Sequence, residues 1–235
     1  MPALFAHRGA HRREPENTLE AFAEAVAEGA DGVELDVRCC AGGTVVVAHD
    51  TDLRRLAGRP DEVAATPWPA LARVALPRGR RVPRLDDALD LLLGAGRRVN
   101  VEVKGDVPDR RGLGVGVARL LARRRPAERE GIVLSTFDPV VLATLRARAP
   151  VPVAFLFDAR HTGIRRAALV AAALRPAGLH PHEALCTPAR VRRWRRMGRF
   201  VSAWTVNDPA RARGLAALGV DALITDDVPA LRAAL

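Results

Sequence analysis

The sequence predicts an α/β fold, a (β/α)8 TIM barrel with a small insertion after the second strand. Short apolar, β-prone runs near residues 4, 34, 101, 133, 154, 180, 203 and 223 alternate with helical patterns. These make eight strands once a hairpin return at 44–49 is set aside. The residues with chemical potential also fall at the ends of those runs. His7 and Arg8 close the first, Glu34 and Asp36 the second, Glu102 and Lys104 the third, and Trp204 lies near the end of the seventh. In a barrel of this kind those ends share one face, where active sites lie.

Each element has its own warrant. Residues 3–6 form a short apolar strand, and 18–28 a helix with Leu19, Phe22, Ala23 and Val26 on one face and Asn17 or Thr18 as its cap. The second strand, 32–37, runs on into the hairpin. From 51 to 84 the spacing turns irregular, punctuated by Pro60, Pro67, Pro69, Pro77 and Pro83, and reads as an insertion with short helical pieces. A helix at 85–93 and a strand at 98–104 follow. Helices at 112–124, 138–148, 164–174, 188–197 and 208–218 then alternate with strands at 131–136, 151–157, 178–182, 200–206 and 220–225, the one at 178–182 being the weakest. Residues 1–235 are expected to form a single domain.

Residues 29–50 concentrate the chemistry. Glu34 and Asp36, two apart on a strand, point to the same side. Adjacent carboxylates repel and suit a dry core poorly. A hard divalent cation between them reverses that, because Mg²⁺ and Ca²⁺ take oxygen ligands. Gly42-Gly43, between β-prone runs, is expected to be a two-residue hairpin turn, which would place His49 opposite Asp36.

Composition bounds the rest. With 49% hydrophobic residues and no apolar run approaching ~18, no membrane span is expected. The first strand begins almost at once, leaving no room for a signal peptide, and Cys39, Cys40 and Cys186 show no disulfide framework or CxxC spacing, so the expectation is a cytoplasmic protein. The net charge of +10 invites a nucleic-acid reading. However, 36 of the 37 cationic residues are arginine, a one-sidedness that resembles compositional bias. The clusters at 123–125 and 192–196 read as solvated helix faces, so no nucleic-acid partner is expected. Against that bias the single lysine, Lys104, stands out. His11, His161, His180 and His182 are left as loop or surface residues, and Cys186 as a small buried one.

The segments His7-Arg8-Gly9, Pro15-Glu16-Asn17-Thr18, Glu34-Leu35-Asp36-Val37, His49-Asp50, Glu102-Val103-Lys104, Trp204-Thr205-Val206-Asn207 and the closing 219–227 resemble, in order, the signatures of the glycerophosphodiester phosphodiesterase family. The resemblance runs from about residue 5 to 228 and departs in the turn at 39–43, which lacks the usual Asp. It implies a TIM barrel with an inserted subdomain after the second strand. It also implies one divalent cation, Mg²⁺ or Ca²⁺, held by Glu34, Asp36 and Glu102, with His7 and His49 as the acid/base pair. Arg8 and Lys104 would hold phosphate oxygens, Trp204 would line the substrate pocket, and Asn17 would order the first loop and help orient Arg8.

The implied reaction is hydrolysis of a glycerophosphodiester, such as glycerophosphocholine, to sn-glycerol 3-phosphate and an alcohol. A cation polarises the phosphoryl group, one histidine takes the nucleophile's proton, and the other protonates the departing alkoxide. His7 is the expected base and His49 the expected acid; attack by water and attack by the substrate's own glycerol hydroxyl both remain open. A lysophospholipase D acting at membranes would need an exposed apolar rim, for which Val63, Trp68, Leu71 and Val74 are the candidates. A non-catalytic anion- or nucleic-acid-binding barrel would be indifferent to Glu34 and His7.

Overall fold

A computed structural model describes residues 1–160 and 163–235; His161 lies outside them. Nine strands are described: β1 (Ala3–His7), β2 (Gly32–Cys39), β3 (Val45–Val47), β4 (Arg98–Val103), β5 (Ile132–Thr136), β6 (Val153–Phe157), β7 (Gly178–Pro181), β8 (Phe200–Ala203) and β9 (Ala222–Thr225). All but β3 pair in parallel, in the order β1-β9-β8-β7-β6-β5-β4-β2, and β1 pairs with β2 to close the eight-stranded barrel. Helices lie between the strands, as the sequence predicts.

Alternation along the strands sorts the residues. Val33, Leu35, Val37, Val99, Val101, Val103, Ile132 and Leu134 face outward into the shell of helices, fully buried. The intervening positions face the lumen and are largely polar: Glu34, Asp36, Asn100, Glu102, Ser135, His180 and Ser202. Gly32 and Gly178 make room in the lumen for aromatic rings, since a Cβ at either would lie 2.5 Å from Phe5 or 2.1 Å from Phe200. Helix starts follow from capping side chains: Thr18 accepts from Ala21 N, Asp138 from Val140 N and Val141 N, and Asp208 from Ala210 N. Asp138 and Asp208 precede prolines at the first helical position. Asp227, followed by Pro229, caps one further helix, Val228–Ala234, which the sequence reading passes over.

Several expectations need correction. The β2–β3 register pairs Val37 with Val47 and Cys39 with Val45, so Asp36 faces Ala48, whose N–H donates to its carbonyl, and not His49. The loop holds three residues, Ala41-Gly42-Gly43, closed by Cys40 N on Thr44 O; both glycines have positive φ, and Cys39 belongs to the strand. Counting the turn as two residues shifted the pairing by one. β7 is buried throughout, and His180 on it is 1% exposed because it points into the lumen. β8 stops at Ala203, leaving Trp204 just beyond it. The helix before 123 ends at Ala122, and Arg124 folds back onto Asp86 and Asp90 instead of lying on a solvated helix face. Val63, Leu71 and Val74 pack with Cys40, Val46 and Leu53 into a separate small core, with Trp68 against it, so they form no apolar rim. Among the described residues, no helix is long and apolar enough to cross a membrane.

Candidate active site

β2 is longer than its neighbours, and its edges explain the crowding at the mouth. One edge pairs with β4 over residues 32–37; the other pairs first with β1 and then, higher up, with β3. The register sets His7 beside Glu34 and Asp36 beside Glu102. Ligand oxygens of Glu34, Asp36 and Glu102 therefore all lie within 4.8 Å of one another, on side chains that are all buried. Burial and the neighbouring Asp36 and Glu102 charges push the Glu34 carboxyl up to about 8. Against its own burial, Lys104 and Arg8 hold Asp36 well below the usual carboxylate range. The Lys104 ammonium lies 2.6 Å from both Asp36 Oδ1 and Glu102 Oε1. Three convergent carboxylates, one resisting ionisation, are a donor set that fits a hard divalent cation.

Arg8 and Asn17 frame this cluster. Both have φ of 58°, turning the first βα loop back over β2. Asn17 clasps Asp36 from two sides: its Nδ2 donates to Oδ2 at 2.9 Å, and its Oδ1 accepts the Asp36 backbone N–H at 3.2 Å. Its own N–H donates to the Arg8 carbonyl, so it supports the loop and the carboxylate together. Arg8 donates to Glu16 at 3.0 Å and lies 3.4 Å from Asp36. Arg8 and Lys104, expected as phosphate holders, thus both have carboxylate partners here.

His7 and His49 each carry an acidic partner on Nδ1, which leaves Nε2 as the nitrogen turned away from that partner. His7 Nδ1 is 2.7 Å from Asp226 Oδ1. Burial opposes the charged ring, but Asp226 and Glu34 outweigh it and raise the His7 pKa above the ordinary value. Asp226 is anchored by Asn207 Nδ2 at 2.6 Å and is held down to about 2 against its burial, chiefly by the His7 hydrogen bond. His49 Nδ1 meets Asp50 Oδ1 at 2.7 Å, and Arg55 bridges Asp50 and Glu16. Arg38 donates to the His49 carbonyl and to Asp106, tying the loop after β3 to the loop after β4. His49 therefore reaches the site from its loop despite the different register.

His7, Arg8, His49, Glu102, Lys104 and Trp204 line one cleft of about 940 Å³ at the C-terminal mouth. Trp204 donates to the His180 carbonyl at 2.7 Å and meets Phe137 and His182 edge-on, with centroids 5.4 and 5.2 Å away. The sequence reading assigned no role to Asp226, Asp50, Phe137 or His182. Asp50 adjoins His49, and extending the β1–β9 register by one residue sets Asp226 beside His7, so both signals lay in stretches already singled out. His11 belongs here as well, donating from Nδ1 to the His7 carbonyl.

A substrate entering this mouth meets three clustered carboxylates, oriented histidines and an aromatic wall together, and the protein is a barrel enzyme acting on small molecules. The sequence profile of the glycerophosphoryl diester phosphodiesterase family matches residues 7–230, and the chain belongs to that family. It is 31% identical over 237 residues to an uncharacterised Bacillus subtilis protein, covering 96% of this chain and 95% of that one. A Caldanaerobacter subterraneus glycerophosphodiester phosphodiesterase is 27% identical, with 95% and 93% covered. Among solved structures, an Oleispira antarctica phosphodiesterase in complex with its product sn-glycerol-3-phosphate superposes with a TM-score of 0.88 at 25% identity, covering 100% of this chain and 96% of that one.

Proposed function

We propose that the chain hydrolyses glycerophosphodiesters, glycerophosphocholine among them, to sn-glycerol 3-phosphate and an alcohol, with one Mg²⁺ or Ca²⁺ held by Glu34, Asp36 and Glu102. The observation that carries this reading is the meeting of three buried carboxylates with two carboxylate-oriented histidines in one cleft. The cation, when bound, supplies charge stabilisation to the phosphoryl oxygens. His7, made more basic by Asp226, takes the proton of the attacking hydroxyl at Nε2. His49 delivers a proton from its Nε2 to the leaving oxygen, which an alkoxide requires. Arg8 and Lys104 neutralise the carboxylate cluster and offer donors to phosphate oxygens. Trp204 forms the apolar wall against which the glycerol carbons lie. Residues 1–235 act as one unit, with 51–84 as a cap that fixes Asp50 through Arg55.

The test is release of glycerol 3-phosphate from glycerophosphocholine with EDTA, with added Mg²⁺ or Ca²⁺, and with Glu34→Ala. Activity should vanish with the chelator and with the variant, and the restoring ion names the cofactor. Full activity in excess EDTA would overturn the metal assignment, and full activity of Glu34→Ala the ligand set.

A further inference from the structure

The far wall of the cleft bears charge that the chemistry above leaves unused. Arg160, just after β6, and Arg166, in the first turn of the helix Ile164–Leu174, both line the cleft and are exposed. Among the described residues, neither guanidinium has a hydrogen-bond or acidic partner. The other charged groups around the mouth are committed. Asp106 accepts from Arg38 at 2.8 Å, and Asp138 from Arg110 at 3.0 Å and from the amides of its own helix. Lys104 is held by Asp36 and Glu102, and Arg8 by Glu16. In the closed order β6 stands four strands from β1 in either direction, so the two arginines lie across the mouth from His7 and Arg8.

That placement fixes what the far wall can recognise. A phosphodiester seated between His7 and the three carboxylates has an ester arm that extends across the mouth, and about 940 Å³ leaves room for a sizeable one. The arm ends against two cationic forks whose planar donors match phosphate. Asp158, directly after β6, also lines the cleft and is buried, so the two exposed guanidiniums leave the far wall net positive; a quaternary ammonium there is disfavoured, whereas a phosphate is drawn in.

We infer that Arg160 and Arg166 form an anion subsite for the alcohol half of the substrate, so that glycerophosphodiesters whose alcohol carries a second phosphate are preferred. This rests on the phosphodiesterase reading above and narrows its substrate class. The experiment compares kcat/KM for bis(glycerophospho)glycerol and for glycerophosphocholine in the wild-type chain, in R160A/R166A and in R160K/R166K. The wild type should favour the doubly anionic diester by roughly tenfold at low ionic strength, less at high salt, with the difference in KM. R160A/R166A should bring the ratio close to one, and R160K/R166K should retain part of it. A ratio unchanged in R160A/R166A, or no preference in a wild type that hydrolyses both, overturns the subsite and leaves the phosphodiesterase reading standing. Hydrolysis of neither diester overturns both.

Discussion

The two ends of the barrel lumen use the same alternation of residues and reach opposite results. On β4, Glu102 faces the mouth while Asn100, two residues earlier, faces the base. At the mouth the charges are paired: Asp36 has Asn17 and Lys104, His7 has Asp226, and Arg8 Nε, buried without a hydrogen bond, still lies 3.4 Å from Asp36. At the base, the side chains of Asn100, Ser135 and His180 are buried without a hydrogen-bond partner among the described residues. Two histidines show the difference. His7 is raised above the ordinary imidazole value against its burial, whereas burial alone drops His180 to about 3. Burial acts on both rings, and the difference between them is the oriented acidic partner that His7 has and His180 lacks.

The contrast breaks first at His7. His7→Ala should lower kcat by roughly 10²–10⁴-fold, the range of a general acid or base, while His180→Leu should leave kcat within about threefold. Comparable losses in steady-state kinetics would erase the distinction. Asp226→Asn keeps the shape but removes the charge from His7 Nδ1, and should cost roughly ten- to a hundredfold in kcat, with the acidic limb of the pH profile, set by the base, moved to lower pH. An unmoved profile would make Asp226 a structural residue only.

Cation binding sharpens the description of the mouth. Glu34, raised to about 8, must lose its proton to become a ligand. Affinity for Mg²⁺ or Ca²⁺, read by titration calorimetry, should therefore climb by up to about tenfold per pH unit below 8 and level off above it. In the absence of the ion the folded chain holds a proton that the unfolded chain releases near 4.5, so Glu34 makes stability fall as pH rises from 4.5 to about 8. Thermal stabilisation by the ion should accordingly be larger at pH 8 than at pH 6.

The base offers the smallest effect. As pH drops below 6.5 the unfolded chain protonates the imidazole while folded His180 resists until about 3, so stability falls with falling pH across that window. The slope is about 1.4 kcal/mol per pH unit. Urea unfolding at pH 6 and pH 5 should show this loss in the wild type and not in His180→Leu, which also relieves an unpaired polar group. Parallel losses in both chains would place the acid sensitivity elsewhere.

What the sequence made legible was local pattern. Glu34 and Asp36 at a spacing of two report through the strand period of 2, and Leu19, Phe22, Ala23 and Val26 through the helical period of 3.6. What escaped depended on register and long-range closure. Asp226 reaches His7 across 219 residues because β9 pairs with β1, and no local window records that. The Asp36–His49 pairing failed on a single loop residue, since Ala41-Gly42-Gly43 and Gly42-Gly43 look alike until the hydrogen bonds are placed. His180 was misjudged because its strand is short and its neighbours Gly178 and Pro181 mimic a loop.

Lys104 is the only lysine in the chain and is 9% exposed, locked between Asp36 and Glu102. An amine-directed reagent therefore finds no exposed side-chain target on the folded barrel. Each acylated ε-amine counted by mass spectrometry marks one molecule in which Lys104 has left Asp36 and Glu102. The chain thus carries a single-copy reporter on the floor of its cleft, and its labelling rate reads how often that ion pair opens.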